Sequence, residues 1–214
     1  MPPEVDPPVR EIPGAVGPLE VLFDVPEGEP RAAVVLAHPL PTQGGTMHTK
    51  MVFHAAKGLV RAGCVVMRFN FRGVGRSAGA FDDGRGEQDD FRAAVDYVTG
   101  SFPGLPIWAA GASFGAYVAM TAGAGDDRVA VLIGVATPVG MRDFSALKVS
   151  TKPKFLIHGE ADEYFPIKKV RELYAEMEEP KELVVIDRAS HVFDGQVSEV
   201  GDALEELLGD FRVG

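Results

Sequence analysis

Apolar runs that alternate with stretches of helical spacing leave this chain few ways to fold. Ala32–Ala37 is apolar without interruption, which fits a strand covered on both faces. Val65 to Phe71, Ile107–Ala110, Val129–Ala136, Phe155–Ile157 and Leu183–Ile186 read as further strands. Between them lie helical stripes. Met51, Val52, Ala55, Ala56, Leu59 and Val60 share one face of a segment entered near Met47 and closed by Gly63. Phe91, Ala94, Val95 and Val98 mark a second helix, a small-residue segment from Ala116 a third, and Ile167, Val170, Leu173, Tyr174 and Met177 a fourth. Val197, Val200, Leu204, Leu207, Leu208 and Phe211 give the closing helix its apolar face. Two short strands, Val9–Ile12 and Leu19–Phe23, precede this alternation, so eight strands are expected, the last six interleaved with helices. That pattern predicts an α/β protein whose mostly parallel sheet carries helices on both faces and takes ligands at the carboxyl ends of its strands.

The 214 residues, 46% of them apolar, suffice for one large core, and we expect a single domain over residues 1–214 with a proline-rich extension at 1–8. A formal charge of −10 without a basic cluster disfavours nucleic acid or an anionic membrane as partner and points to a small-molecule substrate. The sole cysteine, Cys64, sits in an apolar run, which excludes disulfides within the chain and predicts a buried packing role. The first residues have neither a basic start nor an apolar core like a signal peptide, and no segment is long and apolar enough to span a bilayer, so the expectation is a soluble cytoplasmic protein. Nothing fixes the oligomeric state.

Gly111-Ala112-Ser113-Phe114-Gly115 lies between the run ending at Ala110 and the helix from Ala116. Gly-x-Ser-x-Gly at a strand-to-helix turn strains the serine backbone and needs small neighbours; Gly111, Ala112, Gly115 and Ala116 supply them. Two other chemistry-bearing groups also follow directly after strands: Asp162, in His158-Gly159-Glu160-Ala161-Asp162, and His191, in Ala189-Ser190-His191. Glu160 and Asp187 are rival acids by position alone. Gly73-Val74-Gly75 after a strand invites a dinucleotide reading, but a loop stands from Arg76 to Gly86 where a helix should open. His48 and His54 read as surface or packing residues, and no histidine pair has the spacing of a metal site. No cofactor or metal is expected.

Over nearly its whole length the chain resembles the α/β-hydrolase superfamily, in particular small lidless bacterial serine esterases related to the dienelactone hydrolases. The matching stretches are Ala37-His38-Pro39-Leu40-Pro41 with Gly44-Gly45, Phe69–Ser77, the serine turn, His158–Asp162, and Ser190-His191. The order Ser, Asp, His is the one this superfamily uses. The resemblance implies an α/β-hydrolase fold, favours Asp162 over its rivals, and gives His38 a supporting role beside the oxyanion loop. A serine at the elbow, where dienelactone hydrolases carry cysteine, favours ester chemistry over theirs.

The implied catalytic residues are Ser113 as nucleophile, His191 as base and Asp162 as the acid that orients it. The oxyanion donors would be the backbone N–H groups of Phe114 and Leu40, because Pro39 and Pro41 have none to give. Larger members insert a cap after the sixth strand, whereas Thr137 to Pro153 is too short for one. An open site without a cap domain is therefore expected, with Leu40, Met141, Phe144, Phe165 and Val192 as its walls. The function expected is a serine carboxylesterase for small or medium acyl groups, acting through an acyl-enzyme. Acyltransferase, thioesterase or peptidase activity with the same triad, or a non-catalytic scaffold, are the alternatives.

Overall fold

The computed structural model describes residues 10–212. Its strands are β1 (Glu11–Ile12), β2 (Leu19–Asp24), β3 (Ala32–Ala37), β4 (Cys64–Phe69), β5 (Ile107–Ala112), β6 (Val129–Val135), β7 (Lys154–Gly159) and β8 (Lys181–Ile186). Among the described residues five α-helices lie between strands and a sixth follows β8: α1 (Lys50–Arg61), α2 (Arg85–Ser101), α3 (Phe114–Ala124), α4 (Ser145–Val149), α5 (Ile167–Glu176) and α6 (Val197–Gly209). The strands form one sheet in the order β1-β2-β4-β3-β5-β6-β7-β8. From β4 onward every pairing is parallel; β1 and β2 are antiparallel additions at one edge.

Strand periodicity divides the interior into two layers. In β3, Ala33, Val35 and Ala37 face one core, while Ala32, Val34 and Leu36 face the other. The first core is closed by Phe91 and Val95 of α2, Val118 of α3, Leu147 of α4 and Val170 of α5. The second is closed by Val52 and Leu59 of α1 with Val200, Leu204 and Leu208 of α6, and it contains Trp108 and Cys64. Apolar runs buried on both faces are thus explained by helices on both sides.

The departures from the sequence reading are local. Val9 and the extension at 1–8 lie outside the described residues. The strand expected to reach Phe71 ends at Phe69, because Asn70 turns to serve side-chain bonds: its Oδ1 accepts the Met47 N–H and its amide donates to Glu20. Helix α2 starts at Arg85, inside the expected loop. Glu87 makes that start possible by accepting the N–H groups of Asp82 and Gly84, donors a helix end would otherwise leave unpaired. Between β6 and β7 the chain forms one short, unforeseen helix, α4, and no cap domain. No helix among the described residues is long and apolar enough to cross a membrane.

Candidate active site

Ser113 stands between β5 and α3 with φ 51° and ψ −118°, a conformation that L-residues other than glycine rarely hold. Clearance around it explains why the turn must be built from glycines. A Cβ on Gly115 would lie 2.4 Å from the Ala37 carbonyl oxygen and 2.5 Å from that of His38, and one on Gly111 would lie 2.1 Å from the Gly115 oxygen. The end of β3 and the start of α3 are thereby pressed together, and the Ser113 N–H donates to the Val135 carbonyl at 2.8 Å. These contacts over-determine the backbone, so the strain at Ser113 persists.

His191 and Asp162 arrive from the loops after β8 and β7. The Ser113 hydroxyl lies 3.0 Å from His191 Nε2, and His191 Nδ1 lies 2.8 Å from Asp162 Oδ2. The other carboxylate oxygen, Oδ1, accepts the N–H groups of Tyr164 at 2.9 Å and Phe165 at 2.8 Å. Burial alone would raise the pKa of Asp162. Hydrogen bonds from His158, His191 and the Phe165 backbone outweigh it and hold the carboxyl well below the usual carboxylate range. Glu163 fixes the histidine loop by accepting the His191 N–H at 3.0 Å. Of the three acids raised by the sequence, only Asp162 touches the imidazole: Glu160 accepts the Arg188 N–H, and Asp187 pairs with the Arg188 side chain in solvent.

On the opposite side of Ser113 the chain leaves β3 through His38-Pro39-Leu40. His38 is fully buried, lies 2.6 Å from the Pro39 carbonyl through Nδ1, and accepts the Phe71 N–H at Nε2. Because a carbonyl only accepts, Nδ1 carries the hydrogen and Nε2 does not. Burial lowers its pKa to about 4, against the opposing pull of the Pro39 carbonyl, so the ring is neutral and serves as a bracket between two strand ends. The Leu40 carbonyl accepts the N–H groups of Gln43 and Gly45, which folds the loop back on itself. Among the described residues, the N–H groups of Leu40 and of Phe114, first residue of α3, have no protein acceptor.

Two clefts meet at Ser113 and His191. The larger, about 370 Å³, runs past Leu40, Gly44, Gly45, Thr49, Lys50, Val192 and Asp194; the smaller, about 110 Å³, is walled by Phe114, Pro138, Met141, Arg142, Tyr164 and Phe165. Of the expected walls, Leu40, Met141, Phe165 and Val192 border these clefts. Phe144 does not: it is buried with its ring edge-on to Tyr117 at 5.7 Å, so it supports the wall from behind. Gln43, Tyr164 and Arg142 are lining residues that sequence reasoning missed. Arg142 is held in place by a 2.6 Å ion pair with Asp83 and by the faces of Phe114 and Tyr117 beneath its guanidinium. Cys64 offers no rival nucleophile, since it is buried in the sheet and burial pushes its thiol up to about 12.

Residues 28–152 match the family described as serine aminopeptidase, S33. An α/β serine hydrolase homologue from Coxiella burnetii is 40% identical and superposes with a TM-score of 0.88, covering 92% of this chain and 95% of that one. A Xanthomonas campestris protein described as an α/β serine hydrolase without lid is also 40% identical, with a TM-score of 0.85 over 92% of this chain and 90% of that one. An uncharacterized protein of Rickettsia prowazekii is 32% identical over 209 residues, 88% of each chain.

Proposed function

This chain belongs to the α/β serine hydrolases, in the family described as serine aminopeptidase, S33, and from that premise we propose that it cleaves carboxylic esters of small or medium acyl groups through an acyl-enzyme. The observation that carries the reading is the continuous hydrogen-bonded path from Ser113 Oγ through His191 to Asp162, set on a serine with positive φ. In this reading His191 takes the hydroxyl proton as Ser113 attacks the ester carbonyl. The oxyanion that forms is met by the N–H groups of Leu40 and Phe114. Collapse expels the alcohol, which receives the proton from His191, and water repeats the sequence in reverse to release the acid and restore the serine. Asp162, fully ionised, holds the imidazole in the tautomer with hydrogen on Nδ1 and balances its transient positive charge.

The unequal clefts favour a short acyl group in the smaller and a larger partner in the wider one. The family description favours a second reading, cleavage of an N-terminal residue from a peptide, and Asp194 in the wider cleft offers a carboxylate to a substrate ammonium. A panel of p-nitrophenyl esters of increasing chain length, run beside aminoacyl p-nitroanilides, separates the two. Ester turnover highest for short acyl groups and abolished in Ser113→Ala is the expected result; ester turnover equal in Ser113→Ala contradicts it.

A further inference from the structure

His158, the fifth residue of β7, takes no part in the steps above, yet it touches the residue on which they depend. Its side chain is buried, with Nε2 2.7 Å from the Phe165 carbonyl oxygen and 3.2 Å from Asp162 Oδ2. A carbonyl can only accept, so Nε2 carries the ring hydrogen and shares it between these two oxygens. Nδ1 is buried without a hydrogen-bond partner. The Nε2 hydrogen therefore faces the Phe165 carbonyl and Asp162, with no competing partner at Nδ1.

The consequence lies at Asp162. Four N–H groups reach its carboxylate: Tyr164 and Phe165 at Oδ1, His191 and His158 at Oδ2. Three belong to the same loop or to the base itself, and His158 is the one donor supplied by the sheet. We propose that His158 is a positioning residue for His191: its Nε2–H pins Asp162 Oδ2 to the end of β7 and takes up part of the negative charge that Oδ2 offers to the imidazole. This inference rests on reading Ser113, His191 and Asp162 as a triad. The other charged or titratable groups around His191 are Glu163, through the backbone N–H, the Tyr164 ring 5.4 Å away, Asp194 and Lys50 along the wider cleft and Arg142 along the smaller one; none of them hydrogen-bonds Asp162 through its side chain.

Removing the Nε2 donor leaves Oδ2 with His191 as its only partner. More of the Oδ2 charge then falls on the imidazolium, and the acid limb of the labelling rate moves to higher pH. Glutamine reaches with an N–H to the position of Nε2, whereas leucine fills similar volume without a donor. The readout is the pH dependence of the second-order rate at which a fluorescent fluorophosphonate labels Ser113, which needs no natural substrate. We expect the acid limb to move up by about half a unit or more in His158→Leu, with labelling on that limb slowed about threefold or more, and to stay near its native position in His158→Gln. An unmoved acid limb in a folded His158→Leu, or equal shifts in both variants, overturns the proposal. The native protein gives a measurement independent of whether the variants fold: at neutral pH the ring ¹⁵N resonances of His158 should place the hydrogen on Nε2, and a hydrogen on Nδ1 overturns the proposal as well. Native protein that takes no label at all instead defeats the triad reading, so the two failures are distinct.

Discussion

The two halves of the candidate site are held by different forces. The serine half, where β3, β5 and β6 end, is fixed by steric fit: Gly115 lies against the carbonyls of Ala37 and His38, Gly111 against Gly115, and Ser113 holds a positive φ between them. The acid–base half, in the loops after β7 and β8, is fixed by hydrogen bonds: four N–H groups on Asp162 and a glutamate on the His191 backbone. The serine half is buried, whereas Tyr164 and Val192 in the other half are 66% and 57% exposed. The contrast suits the proposed mechanism, in which a nucleophile tolerates little displacement and a base must exchange a proton among polar partners with solvent near. Added volume should therefore break the first half, and a lost donor or charge the second.

The largest expected effect removes the link between the halves. Ser113→Ala should lower ester turnover by about 10⁴-fold or more while leaving the melting temperature unchanged or raised, since alanine deletes the hydroxyl and nothing that packs. Next comes the acid–base half: Asp162→Asn keeps the shape but can hold His191 in the wrong tautomer, and should cost about 10³- to 10⁴-fold in kcat with the fold intact by circular dichroism. In the serine half, Gly115→Ala adds one methyl 2.4 Å from a carbonyl oxygen and should destabilise the protein by about 3 kcal/mol in denaturant titration, losing activity through misplacement of the turn. A loss of chemistry far larger than the loss of stability in Asp162→Asn, and both lost together in Gly115→Ala, is the contrast that sharpens the comparison; a Gly115→Ala protein as stable as the native one would break it.

A smaller effect separates the halves by pH. His38 has a folded pKa of about 4, below its unfolded value of about 6.5, so the unfolded chain binds the extra proton first. Stability from neutral His38 is fully present above about pH 6.5 and is lost as pH falls toward 4. Asp162 is also depressed, but from the ordinary carboxylate value, so its contribution is fully present above about pH 4 and is lost only below that. Equilibrium unfolding followed from pH 7 to 4.5 should show a decline that flattens in His38→Gln, while Asp162→Asn leaves that slope unchanged.

The serine half was the more legible in the sequence, because steric demands restrict residue type: the turn around Ser113 needs small residues at Gly111, Ala112, Gly115 and Ala116, and these stand close together in the chain. The acid and base were recognisable by their places just after strands and by chain order, but choosing Asp162 over Glu160 or Asp187 needed either the family resemblance or the observed contact with His191. The clefts were harder. Their walls come from four separate loops, and Phe144 was expected in one because an apolar residue in an irregular segment carries no periodicity to say which way it faces; it turns inward onto Tyr117. Arg142 gave no signal at all, since its partner Asp83 is 59 residues away. The four-residue spacing of His158 and Asp162 was visible, but only the structure shows His158 and His191 converging on one oxygen of Asp162.

The central claim is that Ser113 is an activated nucleophile. Intact-protein mass spectrometry after exposure to a fluorophosphonate, followed by peptide mapping, tests it without knowledge of the substrate. The expected result is one adduct per chain, located on Ser113 and absent from Ser113→Ala; folded native protein that stays unmodified, or carries the adduct on another residue, would contradict it.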